Sequence, residues 1–450
     1  MITQHIPIVL VASLLLSGCN LMPNFELQTG ELPNHWRNID SDTTASKIDP
    51  QWWQAFGSPQ LNRLITEALA YNNDLASATQ RIAQARAQSK IASADLWPVI
   101  GIDGNIHSQH DSLGETRKKT ASLFAVYEVD LWGANRGKRD AGQDRYLSTV
   151  FARDALRLVI MAEVSQAYFD LAATSERVRI AQAFLQNVRD VLNIVEAKFQ
   201  AGAVSALDLA QQKTELASTK ASLVLLQQQQ SLIENTLSIL LGRPPADFQV
   251  IAERFADLNL PSVQSQQPYS LLLRRPDLQQ AEMQLKAANI DVGIALSAFY
   301  PSLQINLDTI LANPQPAGLA LAMAANLAQP LFQGGRLEGG LEYAKAHYAE
   351  LMEIYQQTLL VVFKEVEDAA AVRNHSSQRL LALSEAVARA REAYQISFEQ
   401  YRVGAIDYQT LLNTQRSLIS TENTEVLARL DVMQALVQLY KAFGGGWQNT

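Results

Sequence analysis

Ile91-Ala-Ser-Ala-Asp-Leu-Trp97-Pro98-Val-Ile-Gly-Ile102-Asp-Gly-Asn-Ile106 changes period part-way through. From about residue 74 to Trp97, small and apolar residues recur at helical spacing. Pro98 ends that helix, because proline donates no amide and restricts the residue before it. Beyond it, Ile100, Ile102 and Ile106 alternate with Asp103, Asn105 and His107. This is the pattern of a strand with one apolar and one polar face.

The same change recurs about 200 residues later. Ile294-Ala-Leu-Ser-Ala-Phe-Tyr300-Pro301 precedes Leu303, Ile305 and Leu307, which alternate with Gln304, Asn306 and Asp308. Three further pairs keep the order. Asn72-Asn73-Asp74-Leu75 matches Arg275-Pro276-Asp277-Leu278, and Asp130-Leu131-Trp132 with Arg136 matches Pro330-Leu331-Phe332 with Arg336. Phe199 and Gly202 match Tyr401 and Gly404. The offset changes only in loops, so one unit is used twice.

Each unit predicts a helix (74–97, 277–300) and two strands (99–107 with 121–130; 302–309 with 319–328). A very long proline-free helix follows (137–200, 336–402), and then a return helix (206–241, 407–442). The expected strand loops are 108–120 and 310–318. The long helices would each span on the order of 95–100 Å. Gly202 and Gly404 mark their ends, where glycine takes the left-handed conformation cheaply. Such hairpins are too long for a compact domain and must pack side by side.

Alternation over about nine residues is the signature of a transmembrane barrel strand, although a half-buried soluble sheet would share it. Nothing else in the chain would complete a soluble sheet of ordinary size. Trp97, Trp132, Tyr300 and Phe332 flank the strands on one side, as an aromatic belt at the periplasmic interface would. Four strands cannot close in lipid, so closure requires several copies. Three would give twelve strands, and two would give eight.

Residues 6–16 form an apolar run of signal-peptide length leading into Leu16-Ser17-Gly18-Cys19, which resembles a bacterial lipobox. In that chemistry Cys19 carries the lipid and becomes the mature N-terminus. Asn20 is compatible with export to the outer membrane. The resulting segments are 1–18 (signal peptide), 19–58 (lipidated extended segment), 59–255 and 256–442 (the repeats), and 443–450 (flexible tail). Residues 20–50 also read as flexible, and the proline-bearing 243–270 as the link between repeats.

Composition narrows the function. With 48% apolar residues and modest Gly and Pro, long helices are favoured over an all-β fold. A net charge of −8 excludes a nucleic-acid partner, since there is no basic excess to neutralise phosphates. One cysteine excludes an intrachain disulfide and a cysteine zinc site. The six histidines show no His-Glu-x-x-His spacing. Gly133 to Lys138 is one residue short of a phosphate loop and lacks the Ser or Thr, and no Gly-x-Ser-x-Gly elbow occurs. No catalytic residue, metal or cofactor is expected apart from lipid on Cys19. Glu365, Glu367 and Asp368 read as a solvated or intersubunit face.

These features together resemble the outer-membrane factor family, the exit ducts of tripartite efflux pumps and type I secretion systems. The closest likeness is to the lipoprotein branch that serves resistance-nodulation-division pumps. It is carried by Trp52-Trp53-Gln-Ala-Phe56, Arg275-Pro276-Asp277-Leu278, Phe299-Tyr300-Pro301, Pro330-Leu331-Phe332, Val362-Phe363-Lys-Glu365-Val366-Glu367-Asp368, and Gly404 followed by Leu411-Leu412-Asn413-Thr-Gln415-Arg416.

The resemblance implies a mixed fold: long helical hairpins forming a periplasmic tunnel, with four strands per protomer in a homotrimeric twelve-strand barrel in outer-membrane lipid. Its partners would be a periplasmic adaptor and an inner-membrane transporter, and its cargo would pass unchanged. The tip turns would be Gly202 and Gly404. The acidic positions that ring the family's constriction match Thr410 and Asn413 here, while Arg416 is retained. Asp208 occupies the place equivalent to Thr410, and Asp407 lies just past Gly404. Asp208 and Asp407 are the expected source of a cation-favouring field. Tyr401 and Arg416 are expected to hold the tip closed by hydrogen bonds, with Gln211 also in the gate. Type I protein secretion and a purely structural periplasmic coiled-coil lipoprotein are the competing readings.

Overall fold

The computed structural model describes residues 21–27, 32–39, 48–111, 114–263, 267–313, 320–445 and 447. Cys19 lies outside them. The elements are α1 (Pro59–Tyr71), α2 (Asn73–Ala94), β1 (Val99–Asp111), β2 (Gly114–Val129), α3 (Ala134–Gln200), α4 (Ala206–Leu240), α5 (Pro276–Ser297), β3 (Ser302–Asn313), β4 (Ala320–Ala328), α6 (Arg336–Val403) and α7 (Tyr408–Ala442). Short 3-10 and helical turns occupy the segment between the repeats. The contacts divide the chain into two compact units, and α3 and α6 contribute residues to both.

The first unit holds the strands with residues 79–152 and 277–358. Its sheet has the order β1-β2-β3-β4, every pair antiparallel. The register places Ile102 opposite Leu123, Ala125 opposite Leu307, and Leu307 opposite Met323. Paired residues share a face. One face therefore carries Ile100, Ile102, Ile106, Leu123, Ala125, Tyr127, Leu303, Ile305, Leu307, Leu321, Met323 and Leu327. The other carries Asp103, Asn105, Ser122, Thr120, Glu128, Gln304, Asn306, Asp308 and Asn326. The apolar face is largely bare, with Ile102 81% exposed.

The strands run further than the alternation predicts. β1 reaches Asp111 and β2 begins at Gly114, so the expected loop 108–120 is mostly strand. The run Gly114–Thr120 is polar and charged, which hid it from a reading based on apolar alternation. Residues 314–319 of the second loop lie outside the described residues. The helices before the strands stop at Ala94 and Ser297, short of Trp97 and Tyr300. Their last turns tighten to i→i+3 bonds, from Trp97 N–H to Ala94 O and from Tyr300 N–H to Ser297 O.

The second unit comprises 31–78, 153–276 and 359–450. The duplication shows here in bonded detail. Asn72 Nδ2 donates to Leu240 O at 2.9 Å, and its counterpart Arg275 donates through Nη1 to Ala442 O at 3.1 Å. Each repeat thus opens with a polar side chain that ties down the end of its own return helix. Gly242 and Gly444 follow those helix ends at φ 69° and 84°. A Cβ at either would strike a backbone carbonyl, that of Tyr71 or Arg274.

The tail expected to be flexible is therefore packed as far as it is described. Phe443, Gly444 and Gly445 are buried, and Trp447 Nε1 donates to Asp154 at 3.0 Å. Part of the 20–50 segment is docked as well: Trp36 is buried edge-on against Phe363 and Phe443. An aromatic knot forms the core, where Trp52 stacks on Tyr440 at 4.9 Å and Phe56 meets Phe169 at 4.8 Å.

α3 and α6 end in matching turns. Gly202 (φ 71°) and Gly404 (φ 82°) each donate three residues back, and Ala203 and Ala405 each donate five residues back. This is the Schellman arrangement. Nothing lies within 4 Å of a Cβ built at either glycine, so backbone conformation alone demands it. Gly202→Ala and Gly404→Ala should each cost about 1 kcal/mol locally, speeding amide exchange at Ala203 or Ala405 roughly fivefold. Unchanged exchange at both would contradict this account of the turns.

Candidate channel tip and barrel wall

The turn ends of the two hairpins share a small apolar core of Val191, Val195, Tyr401, Tyr408, Leu411 and Leu412, flanked by Tyr394, Phe398, Val204 and Ile406. The polar groups named from the sequence sit around it in distinct settings.

Asp208 and Asp407 are both helix caps. Ser205 is the N-cap of α4, and its Oγ accepts from Asp208 N–H, while Asp208 Oδ2 accepts from Ser205 N–H at 2.9 Å. Asp407 is the N-cap of α7 and accepts from Thr410 N–H at 2.7 Å. The cap and the third helical residue have exchanged roles between repeats: Ser205 caps with Asp208 at the third position in one, and Asp407 caps with Thr410 at the third position in the other. Each return helix thus begins with one carboxylate at the positive end of its dipole. The bond from the Thr410 amide holds the Asp407 carboxyl below the usual carboxylate range, so it stays charged.

Arg416 reaches the other hairpin. Its Nε and Nη2 both donate to Glu215 Oε2, at 2.9 and 2.7 Å. The Glu215 side chain is 10% exposed and that of Arg416 54%. Tyr401 is buried at 2% exposure. Its hydroxyl finds no partner among the described residues. Instead its carbonyl accepts from Lys198 Nζ, and its ring lies 4.1 Å below the same ammonium. Tyr401 contributes a ring and a carbonyl to the tie, and its hydroxyl takes no part in it.

The third tie runs through residues that sequence reasoning missed. Tyr408 Oη donates to Gln212 Oε1 at 2.7 Å, and Gln212 Nε2 donates to Val188 O at 2.7 Å. Asp208, Gln212 and Glu215 fall at i, i+4 and i+7 on α4, and that polar stripe was the available signal. Burial, then the nearby Glu215 carboxylate, pushes the Tyr408 phenol up, and burial followed by Asp208 does the same for Tyr401. Both phenols therefore stay neutral. Gln211 is half-buried, and Asn413 is exposed, accepting from Gln409 at 3.1 Å. Gln415 is buried with neither side-chain amide atom partnered among the described residues.

In the first unit, the four flanking aromatics divide into pairs. Trp132 and Tyr300 pack at 4.8 Å, with Trp132 Nε1 donating to Pro301 O at 2.7 Å. Trp97 and Phe332 project outward, Phe332 at 89% exposure. On the polar sheet face, Phe124 covers Gly101, which has no side chain to obstruct the ring.

The acidic group on α6 is more engaged than a solvated face. Glu365 pairs with Arg275 at 2.8 Å, and Glu367 accepts from Arg37 N–H and Asn38 Nδ2. Among the described residues no group of His, Cys, Asp and Glu could hold a metal ion. None of the described helices is long and apolar enough to cross a membrane.

The family model for outer membrane efflux proteins matches the chain twice, over residues 64–243 and 267–445. The pyoverdine export outer membrane protein OpmQ of Pseudomonas putida is 34% identical over 438 residues, covering 92% of each chain. The outer-membrane channel OprN superposes with a TM-score of 0.87 at 25% identity, over 95% of this chain and 99% of that one. The open state of the Neisseria gonorrhoeae MtrE outer membrane channel does so at 0.86 and 27%, over 95% and 98%. The two solved structures are of outer-membrane channels, and two matches of one family model to one chain restate the duplication. The chain belongs to the outer membrane efflux protein family and is an efflux channel of the outer membrane.

Proposed function

We propose that three copies of this chain close a twelve-strand barrel around the polar sheet face and conduct small solutes passively. The solutes would be delivered by a periplasmic adaptor and an inner-membrane transporter of the resistance-nodulation-division type. The observation that carries the reading is a sheet with an apolar face and outer edges on β1 and β4 that find no strand among the described residues. Such edges are untenable in hydrocarbon, and pairing β4 of one copy with β1 of the next removes them all. Exposed apolar residues on the helices, among them Val224, Leu232, Leu360 and Leu381, supply a matching surface for neighbouring copies.

The gate lies at the turns Gly202 and Gly404. At rest, Arg416–Glu215, Lys198–Tyr401 and Tyr408–Gln212 tie the hairpins together within each protomer. Opening separates the hairpins and breaks these ties. Asp208 and Asp407 face solvent near the turns and give the passage its preference for cations. Cys19 carries the lipid anchor.

Two outcomes follow for the gate in planar-bilayer recording. Arg416→Ser removes one tie and leaves Glu215 unpaired. Open probability should rise roughly fivefold, equivalent to about 1 kcal/mol of lost coupling. Asp208→Asn with Asp407→Asn keeps the helix caps and removes the charge, so cation preference should fall while open probability holds. Unchanged open probability in the first variant and unchanged selectivity in the second would defeat the assignment. For the anchor, Cys19→Ala should abolish incorporation of labelled palmitate, and equal labelling of both proteins would refute the lipid site.

A further inference from the structure

The segment just after Cys19 is held in a fitted cradle on the first unit. Met22 lies between two helices that each carry a glycine there, Gly293 in the interior of α5 and Gly137 in the first turn of α3. A Cβ at Gly293 of α5 would sit 2.7 Å from Met22 Sδ and 2.9 Å from Met22 Cα. A Cβ at Gly137 of α3 would sit 2.9 Å from the same sulfur. Neither glycine has positive φ, so conformation does not require them; space does. Glycine inside a helix costs roughly 0.5–1 kcal/mol relative to alanine. Three more contacts fix the strand of chain. Leu21 N–H donates to Trp132 O at 3.3 Å, Asn289 Nδ2 donates to Pro23 O at 2.9 Å, and Lys286 Nζ lies 5.6 Å over the Phe25 ring.

The duplication supplies a control. By the repeat alignment, Gly293 corresponds to Lys90 and Gly137 to Leu337. The equivalent positions on α2 and α6 carry large side chains where these carry none, so glycine there is not a requirement of the repeated sequence. It matches the one thing that is not duplicated, the N-terminal segment.

We infer that Gly137 and Gly293 form a docking socket for Met22 that fixes where the acylated N-terminus enters the membrane. This rests on the lipidation of Cys19 proposed above. Two residues, Asn20 and Leu21, separate Met22 from Cys19 at no more than about 3.5 Å per step, and Leu21 is bonded to Trp132 O, so the tether leaves the anchor only a short reach from the base of β2. Acyl chains on an anchor so held would be fixed neighbours of the barrel wall. A free tether of the same length would let them roam.

Amide exchange on the full-length protein in detergent tests the socket, with palmitate labelling run in parallel. In wild type and in Cys19→Ala, Leu21 should exchange slowly. In Met22→Asp, which leaves the helices untouched, and in Gly293→Leu, exchange at Leu21 should accelerate by roughly tenfold or more. Palmitate incorporation in both should match wild type. Protection of Leu21 that is unchanged in Met22→Asp and Gly293→Leu would overturn the socket. Loss of palmitate label from wild type would instead remove the lipid reading, and the exchange result would still decide whether the segment is docked.

Discussion

An antiparallel sheet of four strands with two free edges and one greasy face cannot be a finished structure in any solvent. In water the face is wrong, and in hydrocarbon the edges are. Each unpaired amide or carbonyl in lipid costs several kcal/mol, more than any side-chain contact in this chain could offset. The rest of the molecule follows from that constraint. The sheet must be completed by copies of itself, its polar face must turn inward, and the helices leaving it must pack as a ring of the same symmetry. A heterologous contact of β4 on β1 closes when the rotation per copy divides the circle.

The second unit, on the gating proposed above, meets a different requirement: the turn ends of two long hairpins must stay joined yet be separable. The apolar core there is small, and the polar ties are few and sit on its rim. A carboxylate that is largely buried, Glu215, is held by a half-exposed guanidinium. Such a pair adds modest net stability, yet is costly to break from one side, because the carboxylate is left without a partner. That asymmetry suits a joint meant to yield as a whole and not to fray. The two Asp caps show economy of another kind, since a carboxylate that starts a helix also sets the potential beside the turn.

Much of this was legible in the sequence, for physical reasons that differ by region. Strand faces obey a period of two and proline ends helices, so the apolar set from Ile100 to Leu307 and the order of elements could be read directly, whereas the alanines of 319–328 blur the face that β4 presents. Strand ends could not, because Gly114–Thr120 is polar on both faces. Glycine turns at Gly202 and Gly404 were readable as left-handed caps. The partners at the tip were not: the polar stripe of Asp208, Gln212 and Glu215 could be seen on α4, but that it meets Arg416 and Tyr408 shows only once α4 and α7 lie together. The clasp of Asn72 and Arg275 escaped notice because equivalent positions hold chemically different residues doing one job, donating to a terminal carbonyl. The tail misled for the opposite reason. Gly444 and Gly445 looked flexible, whereas they are glycines because buried backbone leaves no room for more.

Edge pairing between copies is the claim on which everything else stands. Within one chain β1 and β4 are three strand spacings apart, about 14 Å, beyond the reach of a disulfide. A cysteine pair with one member at Ile100 or Ile102 and the other at Leu321 or Met323 can therefore oxidise only across a boundary between chains. Denaturing gels of outer membranes from such paired variants should show covalent species of two and three chains, with three the limit. Failure of every pair to cross-link, or a ladder that stops at two chains or runs past three, would contradict the closed twelve-strand barrel.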